Sequence, residues 1–441
     1  MNTSNRSRTS GFAIVAAFFG IAIAVIVTMA PWWLLLTASA LLVAWIALTQ
    51  AGHQTWSMTK VGITSIPRRL GASAIVVVGI AGVVGVLIAL LAMGAGFERT
   101  LKLTGSDDTA IVLQTGQKNE TGSTISLDSI GAISQMRPVL RNARDEAIGS
   151  PEVVLSVSLP NRSTGLDASL ALRGVGPHIW ELWPGIKIRE GRVFQPGLRE
   201  LIAGKDASSR FSGLKVGSSV KLEGQSWAVV GAFDSGDAHN SEIWGDTQAL
   251  SSAYHREGFA NSLILRLKGP GALEMLRTNV ESDPRLKVYV QTTRAYFGQQ
   301  SESFSRMMSI VGSAIGAIMA VGAIFGAINA TYMSIEGRTR EISTLRALGF
   351  RRLPVIASVL LETMILAALG GTLGAFLAWA IFDGFTAVTM GQTGQIVFAL
   401  DVSPTLVCDG IKWALAIGFV GGLIPAARAA SQSIVKGLRA T

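Results

Sequence analysis

Seven charged side chains crowd into the short stretch 334–352: Glu336, Arg338, Arg340, Glu341, Arg346, Arg351 and Arg352. Long apolar runs flank it, 307–332 before and 355–382 after. Arginine is always charged and carries a rigid fork of donors, whereas glutamate only accepts. At the water edge of a membrane such a set can dock a charged protein surface. It can equally be a topology signal, because positive residues mark the cytoplasmic side. Ile342, Leu345 and Leu348 recur at helical spacing and Gly349 supplies a stop, so the stretch predicts a short amphipathic helix.

Other chemistry is sparse. Glu362 is an intramembrane acid about two turns into the second run, functional by default or paired with a neighbouring helix near the interface. A proton-driven carrier needs several such groups along a path, which argues against a secondary transporter. The nearest string to a P-loop, 197–206, has the wrong spacing. No Gly-x-Ser-x-Gly elbow is present. His53, His178, His239 and His255 are scattered, with no zinc-like spacing. His239 to Glu242 with Asp234 and Asp237 reads as an exposed acidic loop rather than a metal site. No catalytic or metal-binding residue is expected, and the chain is expected not to be an enzyme. Cys408 is the single cysteine, so no intrachain disulfide can form.

The elements that carry these groups follow from composition. The chain of 441 residues is 49% hydrophobic and only 15% charged, against about a quarter charged in soluble domains. Its apolar residues cluster into runs near the length of about 20 that a bilayer helix needs. The fold class is therefore integral membrane and mostly α-helical, with six transmembrane helices and an inserted α+β domain. The expected organisation is an N-terminal transmembrane hairpin (1–53) and an amphipathic segment (54–71). A transmembrane helix (72–96) and the inserted domain (97–305) follow. Then come a helix (306–332), the charged segment (333–353), a helix (354–382), a short loop (383–407), a helix (408–427) and a tail (428–441). The first apolar run, 11–29, reads as a retained helix rather than a cleaved signal peptide.

Residues 97–305 hold 23 basic and 23 acidic side chains, so the net charge of +9 lies entirely beside the membrane segments. That places the termini, 60–69 and 334–352 in the cytoplasm and the large domain outside. It also leaves no basic, aromatic-interleaved patch for a nucleic acid. Glycines spaced along the helices predict close packing: Gly79, Gly82 and Gly85; Gly312 and Gly316; Gly370, Gly371 and Gly374. In the domain, strands are expected at 111–113, 153–159, 169–172, 219–222, 227–233 and 262–267, with helices at 272–282 and 292–305.

The segment Ile335-Glu336-Gly337-Arg338-Thr339-Arg340-Glu341-Ile342-Ser343-Thr344-Leu345-Arg346-Ala347-Leu348-Gly349 resembles the coupling segment of FtsX-like permeases of the MacB type. Leu360-Leu361-Glu362 with Gly370-Gly371 is similar to the family's third helix. Pro425-Ala426-Ala427-Arg428 with Val435, Leu438 and Arg439 is similar to its C-terminal end. Leu214 to Gly217 with Trp227 to Gly231 is similar to a strand pair of its periplasmic domain. The resemblance runs from about residue 55 to the end. It implies a non-catalytic permease subunit of an ABC transporter in the bacterial inner membrane, with both termini cytoplasmic and the large domain periplasmic. It further implies a separate ATPase subunit that binds ATP and Mg, a second permease copy, and coupling of hydrolysis to movement of the periplasmic domain (mechanotransmission). On this reading Glu336, Arg338, Arg340, Glu341 and Arg346 face the ATPase, while Ile342, Leu345 and Leu348 hold the helix to its neighbours. A periplasmic adaptor and an outer-membrane channel are expected partners for export or efflux. Release of lipoproteins and regulation of a cell-wall hydrolase without transport are the family's alternatives; a plain membrane receptor lies outside it. The hairpin 11–48 departs from the common pattern, and no fused ATPase is expected.

Overall fold

The computed structural model describes residues 30–65 and 70–432. They divide into two compact units: a helical one within Met1–Met93, Met307–Asp383 and Asp401–Thr441, and a globular one of Gly94–Arg306 with Gly384–Leu400.

The helical unit holds α1 (Trp32–Leu48), α2 (Gln50–Ser65), the part of α3 (Leu70–Thr104) up to Met93, the part of α4 (Thr293–Glu336) from Met307, α5 (Thr339–Ala347), α6 (Arg352–Phe382) and α7 (Pro404–Ser431). Four of these, α3, α4, α6 and α7, are long and apolar enough to cross a bilayer. A fifth span arises if α1 and α2, bent by 99°, are taken as one. The expected first span, 11–29, lies outside the described residues, so the count of six is not reached among the residues described. α1 has 17 residues and stops at Thr49, whose extended backbone breaks the helix. The Thr49 hydroxyl accepts the Gly52 amide hydrogen at 2.9 Å and so caps α2. A Cβ on Gly52 would strike the Ile46 backbone at 2.5 Å, which is why the bend needs glycine there.

α4 is one helix of 44 residues, where separate elements at 292–305 and 306–332 were expected. No proline lies between the two, and Gly298 alone does not stop a helix that continues on both sides.

Glycines set the helix contacts unevenly. A Cβ on Gly370 would meet the Val77 carbonyl at 2.8 Å, and one on Gly374 the Ala81 Cα at 2.9 Å, so α6 lies directly on α3. Gly371 faces the Ala414 Cβ of α7, and Gly312 and Gly316 face Leu90 and Leu87. Gly85 touches the Gly374 carbonyl at 3.6 Å, but Gly79 and Gly82 have nothing within 4 Å. Two of the three glycines on that stripe therefore pack against nothing among the described residues. Periodicity shows that the stripe is smooth, but not what lies against it.

The globular unit is a ten-stranded mixed sheet. Its strands are β1 (Thr109–Gln114), β3 (Gly149–Pro160), β4 (Asp167–Val175), β5 (Lys187–Gly191), β6 (Glu200–Gly204), β7 (Ser219–Leu222), β8 (Gln225–Asp234), β9 (Glu242–Asp246), β11 (Ser262–Arg266) and β12 (Val288–Thr292). The order is β12-β1-β11-β3-β4-β9-β6-β8-β5, with β7 paired to β8. β4–β9 and β6–β8 are parallel, and the other pairs are antiparallel. β2 (Ile125–Ser126) and β10 (Phe259–Ala260) form a small ladder. The β7–β8 turn has positive φ at both Glu223 and Gly224, the two-residue geometry whose twist suits a hairpin. One core gathers around Trp227 and Leu172, the other around Leu263 and Leu276.

The stretch 383–407, expected as a short loop, contains a hairpin of β13 (Thr386–Met390) and β14 (Gln395–Ala399), and α7 begins earlier, at Pro404. The hairpin belongs to the globular unit. The Val397 amide donates to the Ser241 hydroxyl at 2.9 Å. Gly394 lies so close to Leu170 and Ala171 that a Cβ would meet the Ala171 nitrogen at 2.5 Å. The strands missed in the sequence are short: five residues each in β5, β6, β9, β12 and the two strands of this hairpin, and two each in β2 and β10.

Candidate coupling surface

The charged stretch folds as α5 between α4 and α6. α4 stops at Glu336, and the chain turns through Gly337 and Arg338. At its other end α5 closes with the Phe350 amide donating to the Leu345 carbonyl at 3.2 Å and the Gly349 amide to the Arg346 carbonyl at 3.2 Å. Gly349 has φ +101°, so this is a Schellman cap that only glycine enters without strain.

One face of α5 is buried. Ile342 joins Met58 of α2, Val355 and Val359 of α6, and Ala426, Ala429 and Ala430 of α7, with Leu345 and Phe350 packed against them. Leu348 does not join them. It is 74% exposed, and Leu353 at the start of α6 is exposed too. The helix ends before a third contact can form, because Leu348 is its C-cap.

The charged residues divide as well. Glu336, Arg340, Glu341, Arg351 and Arg352 are exposed. Arg338 instead turns inward: its Nη1 lies 3.1 Å from Glu362 Oε2 and its Nε 3.3 Å from Glu341 Oε2. The Ser334 hydroxyl lies 3.5 Å from the other Glu362 oxygen. Glu362 is thus the inner half of a largely buried ion pair that ties α6 to the turn before α5. Gly62 of α2 admits the pair, since a Cβ there would lie 2.7 Å from Glu362 Oε2. Arg346 is half-buried and donates to the Gln432 carbonyl. What remains exposed is a set of mixed charge, Glu336, Arg340, Glu341, Arg351 and Arg352, together with Leu348 and Leu353. Ion pairs at a rim supply register, and a desolvated leucine supplies affinity.

In the globular unit the string 239–242, expected as an exposed acidic loop, is buried. A 3-10 turn, Ala238–Ser241, is capped by Asp237, and His239 lies between Trp183, Trp244 and Phe297. Burial works against a charge on His239, but the Asp237 carboxylate at 3.1 Å outweighs it and raises the imidazole pKa. Glu242 pairs with Arg173 through two bonds of 2.8 Å. Burial alone would raise Glu242; Arg173 overcomes that and holds the carboxyl below its usual range. Sequence spacing could not reveal this partner, 69 residues away.

Four long apolar helices, an inserted mixed α and β domain and a short charged helix define a multi-helix membrane protein with a large globular insertion. A MacB-like periplasmic core domain model matches residues 73–283, and an FtsX-like permease C-terminal model matches residues 313–434. This chain belongs to the FtsX-like, MacB-type permeases of ABC transporters. It is 23% identical over 406 residues to the uncharacterized ABC transporter permease YknZ of Bacillus subtilis, covering 86% of this chain and 98% of that one. It is 22% identical over 390 residues to the macrolide export ATP-binding/permease protein MacB of Neisseria gonorrhoeae, covering 82% of this chain but 57% of that protein. The periplasmic region of MacB from Actinobacillus actinomycetemcomitans aligns with 43% of this chain and 91% of its own, at 11% identity and a TM-score of 0.35.

Proposed function

We propose that this chain is the permease subunit through which an ATPase on the cytoplasmic side moves the periplasmic domain, and that it serves export together with a periplasmic adaptor and an outer-membrane channel. Two permease copies and two ATPase subunits make up the working assembly, and six spans per copy put both termini in the cytoplasm. The single observation that carries this reading is the two-faced α5. Its buried face meets α2, α6 and α7 at once, so a push on the outer face reaches three helices through packed side chains. A bare topology signal requires only positive charge; it needs neither this packing nor an exposed leucine framed by both signs of charge.

The test is ATPase stimulation in reconstituted vesicles holding the permease and its ATPase. Arg340→Glu and Leu348→Asp, both exposed, should abolish stimulation while membrane insertion and melting temperature stay as in the wild type. Normal stimulation by well-inserted variants would overturn the coupling role. Export is tested separately: deletion that alters cell chaining and lysis, with no change in sensitivity to exported compounds, would point to hydrolase regulation instead.

A further inference from the structure

The globular unit buries more negative charge than positive. Arg173, on β4, sits among three buried carboxylates. Its Nη1 lies 2.9 Å from Glu120 Oε1 and 2.6 Å from Glu152 Oε2; its Nε and Nη2 each lie 2.8 Å from Glu242; and Nη2 also reaches Glu120 at 3.3 Å. All five guanidinium donors are thereby used. Two neutral donors serve the rest: Trp244 Nε1 to Glu242 at 2.7 Å and the Ser262 hydroxyl to Glu120 at 2.7 Å. Among the described residues nothing serves Glu152 Oε1, a fully buried oxygen on a residue with 0% exposure.

Charge counting makes this oxygen informative. With all three carboxylates ionised, one guanidinium leaves the cluster at −2. The other titratable groups facing it do not cancel this. His239 is matched by Asp237, and Tyr296, whose hydroxyl oxygen accepts the Glu120 amide hydrogen at 3.3 Å, is held neutral as burial and then Glu120 push its pKa far up. Uncompensated charge in an apolar interior is costly, and the usual relief is uptake of a proton. Glu152 is where that proton costs least, because no donor is displaced from Oε1. Burial, partly opposed by Arg173 and reinforced by Glu120, raises its pKa to about 7.

The cluster lies under the hairpin. Gln392, Gly394 and Ile396 line a small cavity together with Glu120, Arg173 and Glu242. The hairpin is seated on β4 and on the 3-10 turn by the Gly394 contact and the Val397–Ser241 bond. Residues 391–397 carry no titratable side chain of their own. We propose that the Arg173 cluster is a buried proton-binding site centred on Glu152, and that its proton fastens the β13–β14 hairpin onto the globular unit. Loss of the proton adds a charge among Glu120 and Glu242 and loosens β3, β4 and β9 beneath the hairpin. His239 acts in the same direction, since its raised pKa also favours the folded turn at lower pH. The folded-state pKa of Glu152 exceeds its unfolded value, so the fastening is fullest below pH 4.5 and is lost as pH rises through about 7.

The experiment is hydrogen–deuterium exchange of the full-length chain in detergent micelles at about pH 6 and about pH 8.5, corrected for intrinsic exchange. Protection of amides 391–397 should fall on the order of tenfold at the higher pH in the wild type, while Glu152→Gln keeps it at both. A wild-type hairpin with pH-independent protection, or an unchanged pH dependence in Glu152→Gln, would overturn the proposal. Infrared spectroscopy of the wild type decides even if that variant fails to fold. A protonated carboxyl band should be present at the lower pH and vanish on titration through neutrality; its absence at the lower pH refutes the site.

Discussion

Arg173 and Arg338 are each the only cation within hydrogen-bond reach of a buried or largely buried acid among the described residues. Removing one partner of such a pair leaves a bare charge, which typically costs about 3–5 kcal/mol. Arg173→Leu should therefore lower the unfolding free energy of the globular unit by about that much. The loss should be larger at pH 8 than at pH 6, because Glu152 is then ionised as well. Denaturant titrations at the two pH values check both the size and the sign. Glu242 runs the opposite way to Glu152: its depressed pKa adds stability above the unfolded value of 4.5 that disappears as pH falls through the folded value. The globular unit should accordingly show a stability maximum on the acid side of neutrality, measurable as melting temperature against pH. At this scale the sequence was least informative. No motif marks Arg173, Glu120 and Glu152, because residues so far apart in the chain meet only in the fold.

Among the elements, the charged stretch was legible as a helix with a glycine stop, and the structure adds the hydrogen bonds of the cap. Gly349→Val should destabilise the cap by about 1–2 kcal/mol, the cost of a left-handed backbone at a residue with a Cβ. It should reduce ATPase stimulation without loss of the protein from the membrane. The glycine stripes looked alike as spacing, yet they behave differently. Gly374→Leu must displace Ala81 and should cost about 1–3 kcal/mol in a detergent melt. Gly79→Ala and Gly82→Ala meet no described residue within 4 Å and should leave the melting temperature unchanged. Spacing reports which face of a helix is smooth; only the neighbouring helix decides whether smoothness matters.

For the whole molecule, the division into an apolar helical part and a globular insertion was readable from composition, because a bilayer imposes run length and excludes charge. The exposed Cys408 gives a handle on orientation. In a Cys408→Ser background, Thr344→Cys and Ser163→Cys should react with a membrane-impermeant thiol reagent from opposite sides of sealed vesicles. Labelling of both from one side would contradict the orientation. Run length, charge placement and the arginine-rich stretch are local properties, and they were enough for the membrane class and the family resemblance. Residue pairs far apart in the chain carry no such local trace. The chain order of Arg173 and Glu242, of Gly394 and Ala171, and of Gly62 and Glu362 says nothing of their meeting. Only the packed fold brought a loop onto the globular unit as a hairpin, turned Arg338 away from the outer face, and buried three carboxylates around one arginine. Burial and hydrogen-bond satisfaction are settled by neighbours, and neighbours exist only once the chain has folded.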